Sequence, residues 1–398
     1  MENPPGGTGS TGSWKATRGS VFAGPSTFFA EKQAVVIDFG RAYTKVGFAA
    51  ESRPRHIFRS PELRARRRLG EDVSCTLTHE EWVDILDKLL SNIFFHYLSV
   101  SPKDRRVVVC DAAFSAAQFR SALAFVLFKR LSVPSAAFVI DMVLPLYLTG
   151  LSSGIVVDCG YESARVMPAF AGVPVLSAFS ESFGAKEILA RLRTAVTASL
   201  PQGDSDGLDS EYLWEDLMVR SCYVSCEFPP KEAPRSLKSN KAAALLLPGR
   251  DDAVVVSEAC RREAIAEALF APDEAKDEAP PGSTCQGIQE AFVRALRRCP
   301  IDVRAAVVQN VVVCGGLASL RGLLPRLALE LQAALRRQPD MAPLADKLLF
   351  TPLDFAPICA VWTGGAVFGS LEGSEANFSA EDYEKGKPLP DWLRDGFL

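Results

Sequence analysis

AVVIDFGRAYTKVGFAA, residues 34–50, is the stretch on which the fold turns. An apolar β-branched run reaches an Asp-Phe-Gly turn at 38–40, and a second apolar run follows, so the segment reads as strand, tight turn, strand. One Asp-x-Gly turn is commonplace. Further along, GIVVDCGYESARVMPAF (154–170) repeats the same grammar, with Asp38 and Asp158 standing 120 residues apart. A third strand, NVVVCGG (310–316), passes through Gly315 and Gly316 into the helical run LLPRLALELQAALRR (323–337). Matching hairpins in two halves predict a duplicated, bilobal α/β fold with a cleft between the lobes. Glycine lets backbone N–H groups approach phosphate oxygens, and the carboxylate can orient a hydrated divalent metal. The plainer alternative is a pair of ordinary hairpin turns.

Between these strands the pattern alternates helix and strand. HEEWVDILDKLLSNIFFHYL from His79 has apolar residues at helical spacing, RRVVVCD (105–111) reads as a buried strand, and SAAQFRSALAFVLFKRL (115–131) reads as a helix with Ser115 as its N-cap. Helical pattern resumes over Lys186–Val196, and AVWTGGAVFGSL (360–371) is a further apolar segment with paired glycines. The Gly-, Ser-, Thr- and Pro-rich residues 1–33 read as a flexible tail. Polar, Pro-rich breaks at 201–207, 228–236 and 271–283 read as loops of a peripheral subdomain.

Composition excludes several classes of function. The chain has 398 residues, 48% hydrophobic and 23% charged, with a net charge of −4; this balance advertises no affinity for nucleic acid or an anionic membrane. Three scattered histidines, His56, His79 and His96, leave no site built on several imidazoles. Ten cysteines contain no C-x-x-C pair, and Cys222 with Cys226 lacks a second pair to complete a tetrahedral metal site. Free thiols in a reducing compartment are the expectation. With no apolar run near ~18 residues and no signal-peptide core at the N-terminus, a cytosolic or nuclear protein is expected. The arginines between Arg53 and Arg68 read either as a solvated basic face or as a nuclear-import or nucleic-acid contact.

The quoted segments resemble actin and the actin-related proteins in shared order along nearly the whole chain after the tail. The resemblance implies an actin-like bilobal fold, of the duplicated actin, sugar-kinase and chaperone ATPase type, with a reduced second subdomain. It divides the chain into a first lobe at 34–150 with a shortened subdomain 2 at 55–79, a second lobe at 151–359 with a peripheral subdomain at 187–284, and a C-terminal segment, 360–398, returning to the first lobe. It places Asp38, Gly40 and Lys45 on the first phosphate loop, Asp158 and Gly160 on the second, and Gly315 and Gly316 at the adenosine-binding turn. Departures gather at the same site. Arg41 and Ala42 replace Ser-Gly, Tyr161 and Glu162 replace Asp-Gly, and Met218, Val219 and Ile358 stand where Lys, Glu and Lys contact the nucleotide. Asp141 and Arg165 stand where a glutamine and a histidine position the attacking water. The resemblance thus implies no catalytic residue and no metal beyond a nucleotide-bound Mg, with ATP or ADP held unhydrolysed or no cofactor at all.

It also places Tyr147, Phe368 and Leu371 on the barbed-face cleft that meets a filament. SPKDRRVVV, FRSALAFVLFKRLSVPS, VVDCGYES and RRCPIDVRAAVVQNVVVCGG resemble the actin-related protein 10 group, the actin-like subunit at the pointed end of dynactin. The function implied is a non-polymerising, cytoplasmic, cytoskeletal cap. Its partners would be the actin-like filament subunits, the pointed-end complex subunits and, through them, dynein and its cargo adaptors in microtubule-based transport, with no nucleic acid and no membrane insertion. Two other readings compete, a nuclear actin-related subunit of a chromatin-remodelling complex and an active actin-fold ATPase.

Overall fold

In a computed structural model, the residues described are 32–60, 63, 77–198, 210–225, 243–246, 253–270, 287–371 and 377–390. The tail up to residue 31, Arg64 to Arg68, the three Pro-rich breaks, and Cys75, Cys226 and Cys285 lie outside them. Residues 33–398 form one unit.

The turn at 38–40 folds β1 (Val35–Phe39) back on β2 (Tyr43–Phe48), with Asp38 directly opposite Lys45. β3 (His56–Arg59) pairs with the far side of β2. α1 (His79–Ser91) starts at a reciprocal capping box between Thr78 and Glu81, buries Trp82, Leu86, Leu89 and Leu90, and runs into a π-helical turn over Asn92–Tyr97. β4 (Val107–Asp111) lies parallel to β1, and β5 (Ser135–Ile140) lies parallel to β4. α2 (Ala117–Phe125) crosses between β4 and β5 and, like α1, ends in a π-helical turn. Ser115 is not its N-cap. Ala116 holds that position, and the Ser115 hydroxyl donates to Asp111 Oδ1 at 3.0 Å. Asp111 is buried and pairs with Arg120 at 2.8 Å, and a short hydroxyl satisfies that carboxylate better than it satisfies a solvated helix end.

The second half repeats the arrangement. β6 (Gly154–Cys159) and β7 (Ser163–Phe170) form the matching hairpin, with Asp158 opposite Arg165. β8 (Val173–Pro174) and β9 (Ser180–Phe183) both pair with β7. α3 (Ala185–Ala198) and α4 (Glu211–Ser221) follow, then the β10 (Ala243–Leu246) and β11 (Ala253–Val256) hairpin and α5 (Glu258–Phe270). α6 (Ile288–Arg298) and α7 (Ile301–Val307) lead to β12 (Val311–Cys314), which lies parallel to β6 as β4 does to β1. α8 (Leu323–Arg336) and α9 (Ala342–Ala345) complete this half, and α10 (Ala360–Ser370) returns to the first sheet, where the Trp362 Nε1–H donates to the Val36 carbonyl of β1. β13 (Asn377–Ser379) then joins the first sheet beside β5, ahead of the short α11 (Ala380–Glu384). The sheet orders are β13-β5-β4-β1-β2-β3 and β12-β6-β7-β8, with β9 also on β7.

Period-two alternation divides the apolar residues between cores. Val35 and Ile37 face one core with α1 and α2, whereas Val36 faces a shared middle core with Val156, Met167, Val312 and Trp362. α10 presses against the 3₁₀ turn Leu144–Leu148 so closely that a Cβ on Gly364 would stand 2.0 Å from the Leu144 carbonyl oxygen. At the next residue a Cβ on Gly365 would stand 2.8 Å from Cys110 Sγ, so each of the paired glycines answers to its own close approach. Seven described cysteines are free thiols, six of them buried, as the spacing predicted. Among the described residues no helix is long and apolar enough to cross a membrane.

Candidate functional site

The two hairpin tips face each other across a cleft of about 430 Å³. Every residue expected at the phosphate and adenosine positions lines it: Asp38, Gly40, Lys45, Asp158, Gly160, Gly315 and Gly316. The departures Arg41, Asp141, Arg165, Met218 and Ile358 line it too. Tertiary structure therefore gathers the whole predicted set in one place.

At the base, the ionised groups are occupied with one another. Lys45 Nζ bonds Asp38 Oδ2 at 2.8 Å, both side chains being buried. Burial opposes the ammonium charge, yet Asp38 beside it and Asp158 further off hold the Lys45 pKa above its ordinary value. Arg165 makes the equivalent pair in the second hairpin and adds another. Its guanidinium meets Asp158 through two nitrogens and Asp141 Oδ2 at 2.7 Å. Burial alone would lower the Arg165 pKa, but the Asp141 and Asp158 carboxylates push it up and fix the charge. Burial pushes the Asp141 carboxyl up to about 6, with Arg165 pulling it back only part of the way. Asp141 Oδ1 is buried without a hydrogen-bond partner.

At the mouth lies a group that pattern reading missed. Glu215 on α4 accepts from the Tyr43 hydroxyl at 2.5 Å and is ion-paired through its other oxygen with Arg59 of β3. The Arg59 guanidinium also covers the Tyr212 ring at 3.9 Å and the Tyr43 ring at 5.0 Å. Burial and the neighbouring Glu215 push the Tyr43 hydroxyl up to about 12. Beside it, the Tyr161 hydroxyl donates to Glu211 at 2.5 Å. No periodicity announces these contacts. By contrast, the base pairs leave a readable trace, an aspartate followed by a basic residue seven positions on in both hairpins.

These residues do not fit a magnesium–nucleotide complex. Among the described residues, six carboxylates line the cleft (Asp38, Asp141, Asp158, Glu162, Glu181, Glu215) against three cations (Arg41, Lys45, Arg165), with Arg59 and Lys186 paired to Glu215 and Glu162 from beside it, so the cleft offers a phosphate no excess of positive charge. Lys45 and Arg165 face carboxylates, and the Arg41 guanidinium donates to the Leu63 carbonyl at 3.3 Å. Three glycines answer to the protein's own backbone. A Cβ on Gly40 would stand 2.4 Å from the Tyr43 carbonyl oxygen, and one on Gly160 would stand 2.9 Å from that of Ser163. Gly315, at φ +89°, would place one 2.5 Å from the Cys159 carbonyl oxygen and equally close to Asp158 Oδ1. Only Gly316 opens towards space, its nearest neighbour being an Ile358 methyl at 3.9 Å. Met218 and Ile358 offer a base no strong hydrogen-bond partner. Among the described residues no group of His, Cys, Asp and Glu is arranged to hold a metal ion.

Tyr147, Phe368 and Leu371 lie away from the cleft lining. Tyr147 meets the Phe368 ring edge-on at 6.1 Å, and the Leu371 N–H bonds the Phe368 carbonyl at the end of α10. Their exposures separate them: Tyr147 is 40% exposed and Leu371 49%, whereas Phe368 is 9% and belongs to the middle core. Phe368 therefore props the patch that the other two present.

The sequence matches the family model described as Actin over residues 80–388. Actin-like protein 9 of Homo sapiens is 28% identical over 381 residues, covering 89% of this chain and 86% of that protein. Actin-like protein 7A is 25% identical in Macaca fascicularis and 24% in Homo sapiens, over 368 residues, covering 86% of this chain and 79% of each relative.

Proposed function

The chain belongs to the actin family, and on that premise we propose that it is a non-polymerising, non-enzymatic actin-related subunit that caps the pointed end of the actin-like filament of dynactin. The observation that carries the non-enzymatic part is the 2.7 Å pair between Arg165 and Asp141. Taking a proton from a water at the histidine position needs a group that can titrate, and the Arg165 guanidinium is permanently charged and accepts none. It also holds Asp141 by Oδ2, on the glutamine position, in place of a neutral amide that would orient the water, and Asp158 holds Arg165 from a second side.

Two further features support the capping role. Tyr147 and Leu371 offer an exposed apolar patch to a filament neighbour. Only nineteen residues separate Arg59 at the end of β3 from His79 at the start of α1, little chain for the subdomain that would grip a following subunit. One competent face and one reduced end describe a terminator. Its other surfaces would hold the pointed-end subunits through which cargo adaptors and dynein are recruited, in the cytoplasm. The names of the relatives, Actin-like proteins 7A and 9, carry the family to this chain and no partner.

A native pull-down of the tagged full-length chain tests the assignment. Co-purification of dynactin filament and pointed-end subunits supports it. Recovery of chromatin remodellers without dynactin overturns it, and magnesium-dependent ATP hydrolysis by the purified chain overturns the non-enzymatic part.

A further inference from the structure

We infer that this chain holds its cleft closed with its own side chains, through a two-tier latch in which Arg165 joins Asp141 and Asp158 at the base while Arg59 and Tyr43 grip Glu215 at the mouth, so that the closed form requires neither nucleotide nor divalent cation. The inference does not depend on the dynactin assignment; it concerns the cleft alone.

Each tier links the two halves. Asp141 follows β5 of the first sheet, whereas Arg165 and Asp158 sit on β7 and β6 of the second, so the guanidinium ties a carboxylate of one sheet to a hairpin of the other. At the mouth, Tyr43 and Arg59 belong to β2 and β3, while Glu215 rides on α4, whose Leu213, Trp214, Leu217 and Met218 are anchored in the second half's core. Both Glu215 oxygens are taken, one by each partner.

The chemistry at the base resembles the use a protein would make of a bound cation. Asp38 and Asp158 converge from matching hairpins, and convergent carboxylates need a positive charge between them. Here the charge is covalently attached. Lys45 supplies it in the first hairpin and Arg165 in the second, from the same register seven residues on. Asp158 and Asp141 each accept from Arg165 through Oδ2. A planar, permanently charged fork suits this better than a lysine, because one guanidinium can serve two carboxylates. At the mouth, Arg59 and Glu215 side chains are 18% and 19% exposed. They are largely removed from water, where breaking a pair costs far more than at a free surface.

The test uses the purified full-length chain, hydrogen exchange read by mass spectrometry, and Glu215→Gln. In the wild type, EDTA and added Mg·ATP should each leave the unfolding midpoint within about 1 °C. Glu215→Gln should raise exchange about tenfold or more in β3 and α4, with β12 unchanged, as expected for losing a charged hydrogen-bonded group. Mg·ATP should not restore it. Tyr43→Phe, which deletes one hydroxyl and keeps the ring packing, should show a smaller rise in the same segments. Stoichiometric nucleotide released on denaturing the wild type, or a midpoint lowered several degrees by EDTA, would overturn the inference, as would unaltered exchange in both variants.

Discussion

Replacing Arg165 by methionine removes one guanidinium and leaves two carboxylates facing each other. The Arg165 side chain is 22% exposed, and those of Asp141 and Asp158 are 9% each. At the 2.7 Å separation of Arg165 and Asp141, with an effective dielectric of about 20, the attraction lost is about 6 kcal/mol. Part of it is offset because a buried cation no longer has to be desolvated. Breaking a buried pair by removing one partner costs about 3–5 kcal/mol, and that is the expected loss near pH 8. The loss should depend on pH in a defined direction. Asp141 already sits at about 6 with Arg165 beside it, and removing that pull raises it further. The folded variant then binds a proton more tightly than its unfolded chain, so its stability increases as pH falls. The deficit relative to wild type should shrink between pH 8 and pH 6, by about 1.4 kcal/mol for each unit of additional shift. Urea unfolding followed by fluorescence, with Trp82, Trp214 and Trp362 buried as reporters, measures both quantities. Adding Asp141→Asn to Arg165→Met should abolish the pH dependence. A deficit below about 1 kcal/mol, or one equal at both pH values, would refute the reasoning that an uncompensated buried carboxylate is what the arginine prevents.

Asp141→Asn alone should flatten the wild-type stability curve between about pH 4 and 6. With a folded pKa of about 6 against an ordinary 3.8, the carboxyl favours folding at low pH and loses that contribution as pH rises through 6. Gly364→Ala should lower stability by at least about 1–3 kcal/mol, since its Cβ would meet the Leu144 carbonyl at 2.0 Å, and the unfolding midpoint reads this directly. Leu371→Glu should leave stability within about 0.5 kcal/mol, because the side chain is half-exposed, and should abolish co-sedimentation with the filament complex. Phe368→Glu should lose stability instead, by about 3 kcal/mol or more, because it buries a charge in the middle core. Equal stability losses for Phe368→Glu and Leu371→Glu would contradict their placement.

Much of the architecture follows from local physics that a sequence carries. β-branched runs broken by Asp-x-Gly at 38–40 and 158–160 can hardly be anything other than hairpins, and the repeat between them predicted two similar sheets. The stripe from Trp82 to Leu90 and its Thr78–Glu81 cap fixed α1. Ser115 misled because an N-cap signature is local, whereas the carboxylate competing for its hydroxyl, Asp111, is made needy by burial that only the packed sheet creates. The glycines mark the same boundary. Their positions are readable, but whether each yields to a ligand or to the chain's own carbonyls depends on atoms brought in from elsewhere, such as Asp158 against Gly315. Pairings of high sequence separation were wholly tertiary. Glu215 lies 172 residues from Tyr43 and 156 from Arg59, and no periodicity in either segment encodes that meeting. By itself, then, the sequence determined the duplicated hairpins, because strand alternation and turn chemistry act over a few residues, while the resemblance to the actin family implied the residues at their tips. Tertiary structure alone decided what those side chains do on meeting, because an ion pair's worth is set by its partner and by the water excluded around it.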